Sequence, residues 1–184
     1  DSILRHQADE DISSDEFFQS GAELIGLPGR EGDREVLMLL HDLLESMELP
    51  SWRMHIGSKR VLDAVLGGKA DPVQAGDLLE VRDCEALVAL LDSAGLPAAA
   101  ARVNLLMFLG TASEFENECS ALVKACGSAS ERKAIEDAVA DLGTLAQELA
   151  LTAGMDNIRI DLSEHGGQPY YTGFTVKAYA RGSS

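Results

Sequence analysis

Gln19 and Glu23 lie four positions apart in the run Phe17-Phe18-Gln19-Ser20-Gly21-Ala22-Glu23-Leu24-Ile25-Gly26. Residues i and i+4 of an extended strand point the same way, so the amide and the carboxylate would share a face. Phe18, Ala22 and Leu24 take the opposite, apolar face. A polar face backed by an apolar one suits the sheet floor of a pocket, and both polar groups can accept hydrogen bonds from ligand N–H groups. A second segment of this kind lies near the other end, Asp161-Leu162-Ser163-Glu164-His165-Gly166-Gly167-Gln168-Pro169-Tyr170-Tyr171-Thr172-Gly173-Phe174. Tyr170 and Tyr171 offer flat apolar rings, each with a hydroxyl for one directional contact.

Other chemistries have little footing. The histidines His6, His41, His55 and His165 are dispersed, without a His-x-x-x-His or Cys-His cluster, so no metal site is expected. No Gly-x-Ser-x-Gly elbow or phosphate loop is present. Gly166-Gly167 reads as a turn, because no helix follows to cradle a phosphate, and His165 beside it reads as a surface histidine. The acidic run over residues 9–16 lacks calcium-loop spacing and reads as a solvated loop. Three cysteines, Cys84, Cys119 and Cys126, give an odd count without metal-like spacing. They read as reduced thiols of a cytoplasmic protein, with Cys119 and Cys126 as small buried hydrophobes. No cofactor is expected.

The elements that would carry the two segments follow from periodicity. Residues 2–6 read as a short strand and 17–27 as a second, broken by Pro28-Gly29. Residues 32–48 carry Val36, Leu40, Leu43, Leu44 and Met47 at helical spacing. Residues 52–56 alternate, with Trp52, Met54 and Ile56 on one face. Residues 58–66 read as a short helix stopped by Gly67-Gly68. From 71 to 153 the chain is an Ala/Leu-rich helical block, with one helix over 82–94 and a nearly all-apolar one over 98–109. Ser113 with Glu116 and Ser128 with Glu131 have capping-box spacing and mark two further helix starts. Residues 157–162 and 170–180 read as two closing strands. Strands flanking a helical block give an α+β class with an antiparallel sheet rather than alternating βαβ units. The expected division is a core over residues 1–70, a helical insertion over 71–153 and the rest of the core over 154–184, as one discontinuous domain.

The chain has 184 residues, 46% hydrophobic and 25% charged, enough for one domain with a substantial core. No apolar run approaches the roughly 18 residues that span a bilayer, and no basic-then-apolar leader is seen, so neither membrane nor secretion is expected. Net charge is −16, from 31 acidic and 15 basic residues. Repulsion from phosphate backbones counts against nucleic acid as a partner.

The two segments together resemble the class II aminoacyl-tRNA synthetase fold, in its histidyl-tRNA synthetase branch. Leu4-Arg5-His6, the acidic loop and the Phe17–Gly26 run resemble that class's second motif, strand, loop, strand. Asp161–Phe174 resembles the histidine-specific signature ending in Tyr-Tyr-x-Gly. Within the branch, the Gln-x-Gly-x-Glu-Leu-Ile-Gly run, Asp-Leu-Ser, Tyr-Tyr-Thr-Gly and the compact helical insertion are closest to regulatory subunits of ATP phosphoribosyltransferase. Carried over by position, the resemblance implies a histidine site. Gln19 and Glu23 would hold the amino group and imidazole, Tyr170 and Tyr171 would lie beside the ring, and Arg5 would stand where the synthetase grips the carboxylate or ATP.

The resemblance also implies what is missing. An Arg of the synthetase falls at Gly166, and glycine cannot neutralise charge during adenylate formation. Pro169 replaces an acidic residue. The synthetase's first and third motifs fall outside the chain, which is therefore expected to be a fragment of a longer subunit. The implied function is a noncatalytic subunit that binds L-histidine and activates and feedback-regulates a short catalytic subunit in a hetero-oligomer, with self-association as a dimer. The alternatives are a catalytic-domain fragment of a histidyl-tRNA synthetase and a pseudo-synthetase module that only senses or scaffolds.

Overall fold

The computed structural model describes residues 2–4, 16–18, 20–49, 51–126, 128–153, 156–166 and 171–180. Near the start, β1 (Ser2–Leu4) and β2 (Glu16–Phe18) pair antiparallel, Ile3 opposite Phe17. The second strand is shorter than its alternation predicts. Residues 20–29 form no regular element, and Gly26 and Gly29 take positive φ values of 90° and 85° that end an extended run.

Helix α1 (Arg30–Ser46) follows, then β3 (Trp52–Ser58). Its alternation holds: Trp52, Met54 and Ile56 are buried. Ser58 ends the strand and caps α2 (Lys59–Leu66) by accepting from the Val61 N–H. Gly67 closes that helix in the left-handed region.

The helical block comprises α3 (Pro72–Glu80), α4 (Cys84–Ser93), α5 (Ala99–Leu106), α6 (Ala112–Ala125) and α7 (Ala129–Ala153). The helix expected over 82–94 starts at Cys84, because Asp83 caps it through the Ala86 N–H. A full capping box does open α6, but Thr111 and Glu114 form it, not Ser113 and Glu116. Ser128 accepts from the Glu131 N–H at the start of α7, as its spacing predicts.

Two short strands complete the sheet, β4 (Leu109–Gly110) and β5 (Ile158–Asp161), with β6 (Phe174–Ala180) on the far edge. The order is β4-β5-β3-β6. β3 runs antiparallel to β6, and β4 antiparallel to β5, but β3 and β5 are parallel. The α+β class holds, and the sheet is mixed rather than wholly antiparallel. The reason is connectivity: the α2–α7 run is a long crossover, which parallel neighbours require. One face of the sheet (Trp52, Met54, Ile56, Ile158, Ile160) joins the helical core.

Candidate functional site

The other face of the sheet is polar. The register places Arg53 beside Tyr179, His55 beside both Lys177 and Arg159, and Gly57 beside Thr175. Asp161 ends β5 on this same face. Above it lies a cleft of about 520 Å³. Its floor includes His55, Asp161, Lys177 and Tyr179; Leu79 and Glu80 at the end of α3 and Arg82 in the turn after it form one wall, and the segment 163–166 forms another.

Asp161 organises this site. It is 2% exposed. Its Oδ1 accepts from the Ser163 N–H at 3.2 Å and the Ser163 hydroxyl at 2.7 Å. Its Oδ2 lies 3.0 Å from His55 Nδ1. The Asp-Leu-Ser element is thus an Asx turn that ends a strand and aims a histidine. An ionised carboxylate can only accept, so His55 Nδ1 is the donor of this pair. Arg82 donates to Ser163 Oγ at 3.2 Å and stands 4.0 Å from Asp161.

Glu164 is the second hub. Its carboxylate pairs with Lys177 Nζ at 2.5 Å and accepts the Tyr179 hydroxyl at 2.6 Å. That hydrogen bond, with burial and the charge of Glu164, pushes the Tyr179 phenol up to about 12. The Tyr179 and His55 rings meet at 4.6 Å. The Glu164 carbonyl accepts from Thr175 Oγ1 at 2.5 Å and passes so close to Gly57 that a Cβ there would sit 1.7 Å from it. His165, expected at the surface, is partly buried; its Nε2 lies 3.1 Å from the Gly76 carbonyl of α3. Gly166, with φ of 90°, backs onto Tyr171 and Thr175; a Cβ there would stand 2.7 Å from each.

Of the five expected ligand residues, Arg5, Gln19 and Tyr170 lie outside the described residues. Glu23 is exposed, in the irregular segment and not on a strand face. Tyr171 is also exposed, and packs against Gly166 at the edge of the cleft. The two segments do approach one another: Leu24, next to Glu23, and Phe174, three residues after Tyr171, line one groove of about 220 Å³. Sequence reasoning missed His55, Arg82, Lys177 and Tyr179. The available signal was the alternation of β3, which puts His55 opposite the buried Met54 and Ile56.

The cleft thus sets charged donors, Arg82 and Lys177, beside charged acceptors, Asp161 and Glu164. Among the described residues no group of three His, Cys, Asp or Glu could hold a metal ion, and no helix is long and apolar enough to cross a membrane.

Comparison with known proteins agrees with the sequence signature. The family model described as histidyl-tRNA synthetase matches residues 1–184. The chain is 31% identical over 170 residues to an ATP phosphoribosyltransferase regulatory subunit of Synechococcus sp. (strain JA-3-3Ab), covering 92% of this chain and 38% of that protein. It is 32% identical over 174 residues to the protein of the same name from Anaeromyxobacter dehalogenans (strain 2CP-1), covering 91% and 47%. The chain thus spans less than half the length of these relatives. Among solved structures, an ATP phosphoribosyltransferase regulatory subunit/histidyl-tRNA synthetase from Bacillus halodurans superposes with a TM-score of 0.66 at 19% identity, over 85% of this chain and 41% of that one. A histidine–tRNA ligase subunit from Alicyclobacillus acidocaldarius gives the same TM-score and identity over 86% and 51%. The fold is therefore the class II synthetase-like α+β fold, and the chain belongs to the histidyl-tRNA synthetase family, which includes the two ATP phosphoribosyltransferase regulatory subunits it resembles.

Proposed function

We propose that this protein is a regulatory subunit of ATP phosphoribosyltransferase, itself without catalytic activity, acting in the cytoplasm in histidine biosynthesis. It binds L-histidine, assembles with a short catalytic subunit, activates it and makes it sensitive to feedback. The observation that carries the reading is the similarity to proteins of that name over more than nine-tenths of the chain. The Asp161–Ser163 turn and the glycine at 166 support it. A side chain at Gly166 would press on Tyr171 and Thr175, so an arginine at this position would have to displace them.

In this reading histidine lies against Tyr171 and Tyr170, with Glu23 and Gln19 on its N–H groups and Arg5 on its carboxylate. Feedback is linkage: histidine shifts the assembly by as much as its affinity differs between the active and inhibited states. Calorimetry with L-histidine tests the pocket. Glu23→Gln is expected to weaken binding by more than tenfold, while unchanged affinity would place histidine elsewhere. The family also contains ligases, and histidine-dependent ATP–pyrophosphate exchange by this protein would establish that reading instead.

A further inference from the structure

Three successive residues after β5 each make a contact that only a glycine allows. The Glu164 carbonyl lies 1.7 Å from where a Cβ on Gly57 would stand. The His165 ring lies across Gly76, where a Cβ would meet Cε1 at 2.7 Å, Nε2 at 3.1 Å and Nδ1 at 3.4 Å. At Gly166 a Cβ would stand 2.7 Å from both the Tyr171 ring and the Thr175 methyl. The segment 164–166 is therefore located by contact with β3, with α3 and with Tyr171.

The contact with α3 joins two parts of the fold. Gly76 is buried within α3 and takes no positive φ. Glycine in a helix interior is less stable than alanine, so the backbone gives no reason for it. The ring above it does. Nε2 of His165 stands 3.1 Å from the Gly76 carbonyl, and a carbonyl only accepts, so Nε2 donates. Two residues earlier, Ser163 Oγ accepts from Arg82 in the turn after α3, at 3.2 Å. One residue later, Gly166 backs onto Tyr171. α3 and Tyr171 are thus linked through two glycine contacts in series, and close-packed contacts transmit displacement.

We infer that His165 is a positioning residue for the ligand pocket: seated on Gly76, it holds Gly166, and with it the Tyr171 ring, where bound histidine would meet them. The helical block thereby sets the affinity of the pocket. The ligand here is that of the proposed function, and the inference rests on that reading; the seat itself does not.

The test is a mutant cycle of Gly76→Ala, His165→Ala and the double variant in this protein. Calorimetry reads L-histidine binding, and nuclear magnetic resonance reads the Tyr171 ring, assigned by Tyr171→Phe. Alanine suits α3, and the group its methyl meets is a side-chain ring that can swing away. Gly76→Ala is therefore expected to keep its thermal stability, yet to shift the Tyr171 resonances and weaken L-histidine binding by about tenfold, the size of a coupling between touching groups. A purely structural glycine would not separate affinity from stability in this way. In the His165→Ala background the same substitution is expected to change neither readout, because the ring that carries the push is gone. Unchanged affinity of Gly76→Ala, in a protein that binds L-histidine, would overturn the inference and leave the histidine reading standing. An equal loss in the His165→Ala background would overturn it too. No L-histidine binding by the wild type would sink the histidine reading instead. The ligand-free Tyr171 resonances would still decide the positioning: unmoved by Gly76→Ala, they overturn it.

Discussion

Arg102 gives the sharpest test of how the helical block holds together. It lies on α5, the helix expected to be apolar nearly all round, and its side chain is fully buried. Nε donates to the Pro97 carbonyl at 2.8 Å, Nη1 donates to the Val65 carbonyl, and Nη2 pairs with Glu131 at 2.5 Å. One guanidinium therefore ties the end of α2, the turn before α5 and the first turn of α7. Arg102→Ala would strand a largely buried carboxylate and two carbonyls. Removing one partner of a buried pair costs about 3–5 kcal/mol, against a total stability of about 5–15 kcal/mol. With a urea dependence of about 2 kcal/mol per molar, the midpoint should fall by roughly 2 M. The assay is urea unfolding followed by far-ultraviolet circular dichroism. Arg102→Met/Glu131→Met should lose much less than Arg102→Ala, because the charge is removed together with its partner. A shift for Arg102→Ala below about 0.5 M would refute the reasoning, since water would then be replacing the guanidinium.

Gly57→Ala is expected to destabilise the sheet by about 1–3 kcal/mol, as forced overpacking does, because its Cβ would collide with the Glu164 carbonyl; thermal unfolding reads this. Burial pushes the Cys119 thiol up to about 12 from an ordinary value of 9.0. Unfolding above pH 9 therefore releases a proton that the native thiol retains, and this contribution is intact below pH 9 and lost as pH rises towards 12. Stability of the wild type should fall across that window more than that of Cys119→Ala. Iodoacetamide at pH 8 should label exposed Cys84 in the native protein, and Cys119 and Cys126 only after unfolding.

The elements with long, regular patterns were legible in the sequence. The helix of α1, the alternation of β3 and the N-cap of α7 stand in the structure, but of the apolar positions read for α1, Val36, Leu43 and Met47 are exposed, and the helix buries Leu37 and Leu44. What was not legible depends on distant partners. The strand Leu109–Gly110 has two residues and so no period to read. The parallel pairing of β3 with β5 joins segments about a hundred residues apart. Arg102 looks like any helical arginine until Glu131, Val65 and Pro97 converge on it. The candidate site divides the same way. Asp161 and Ser163 were marked by their motif, while His55, Arg82 and Lys177 enter the cleft through strand register and a helix turn. Glu23 shows the opposite case. Its alternation reads as a strand, yet the glycines around it leave that segment irregular.

The central claim is regulation of a partner's activity by histidine. Its most direct test is phosphoribosyl-ATP formation by a short-form catalytic subunit, measured with and without this protein and with L-histidine titrated in. The account predicts stimulation by this protein, reversed by L-histidine. No stimulation by a protein shown to be folded would contradict it.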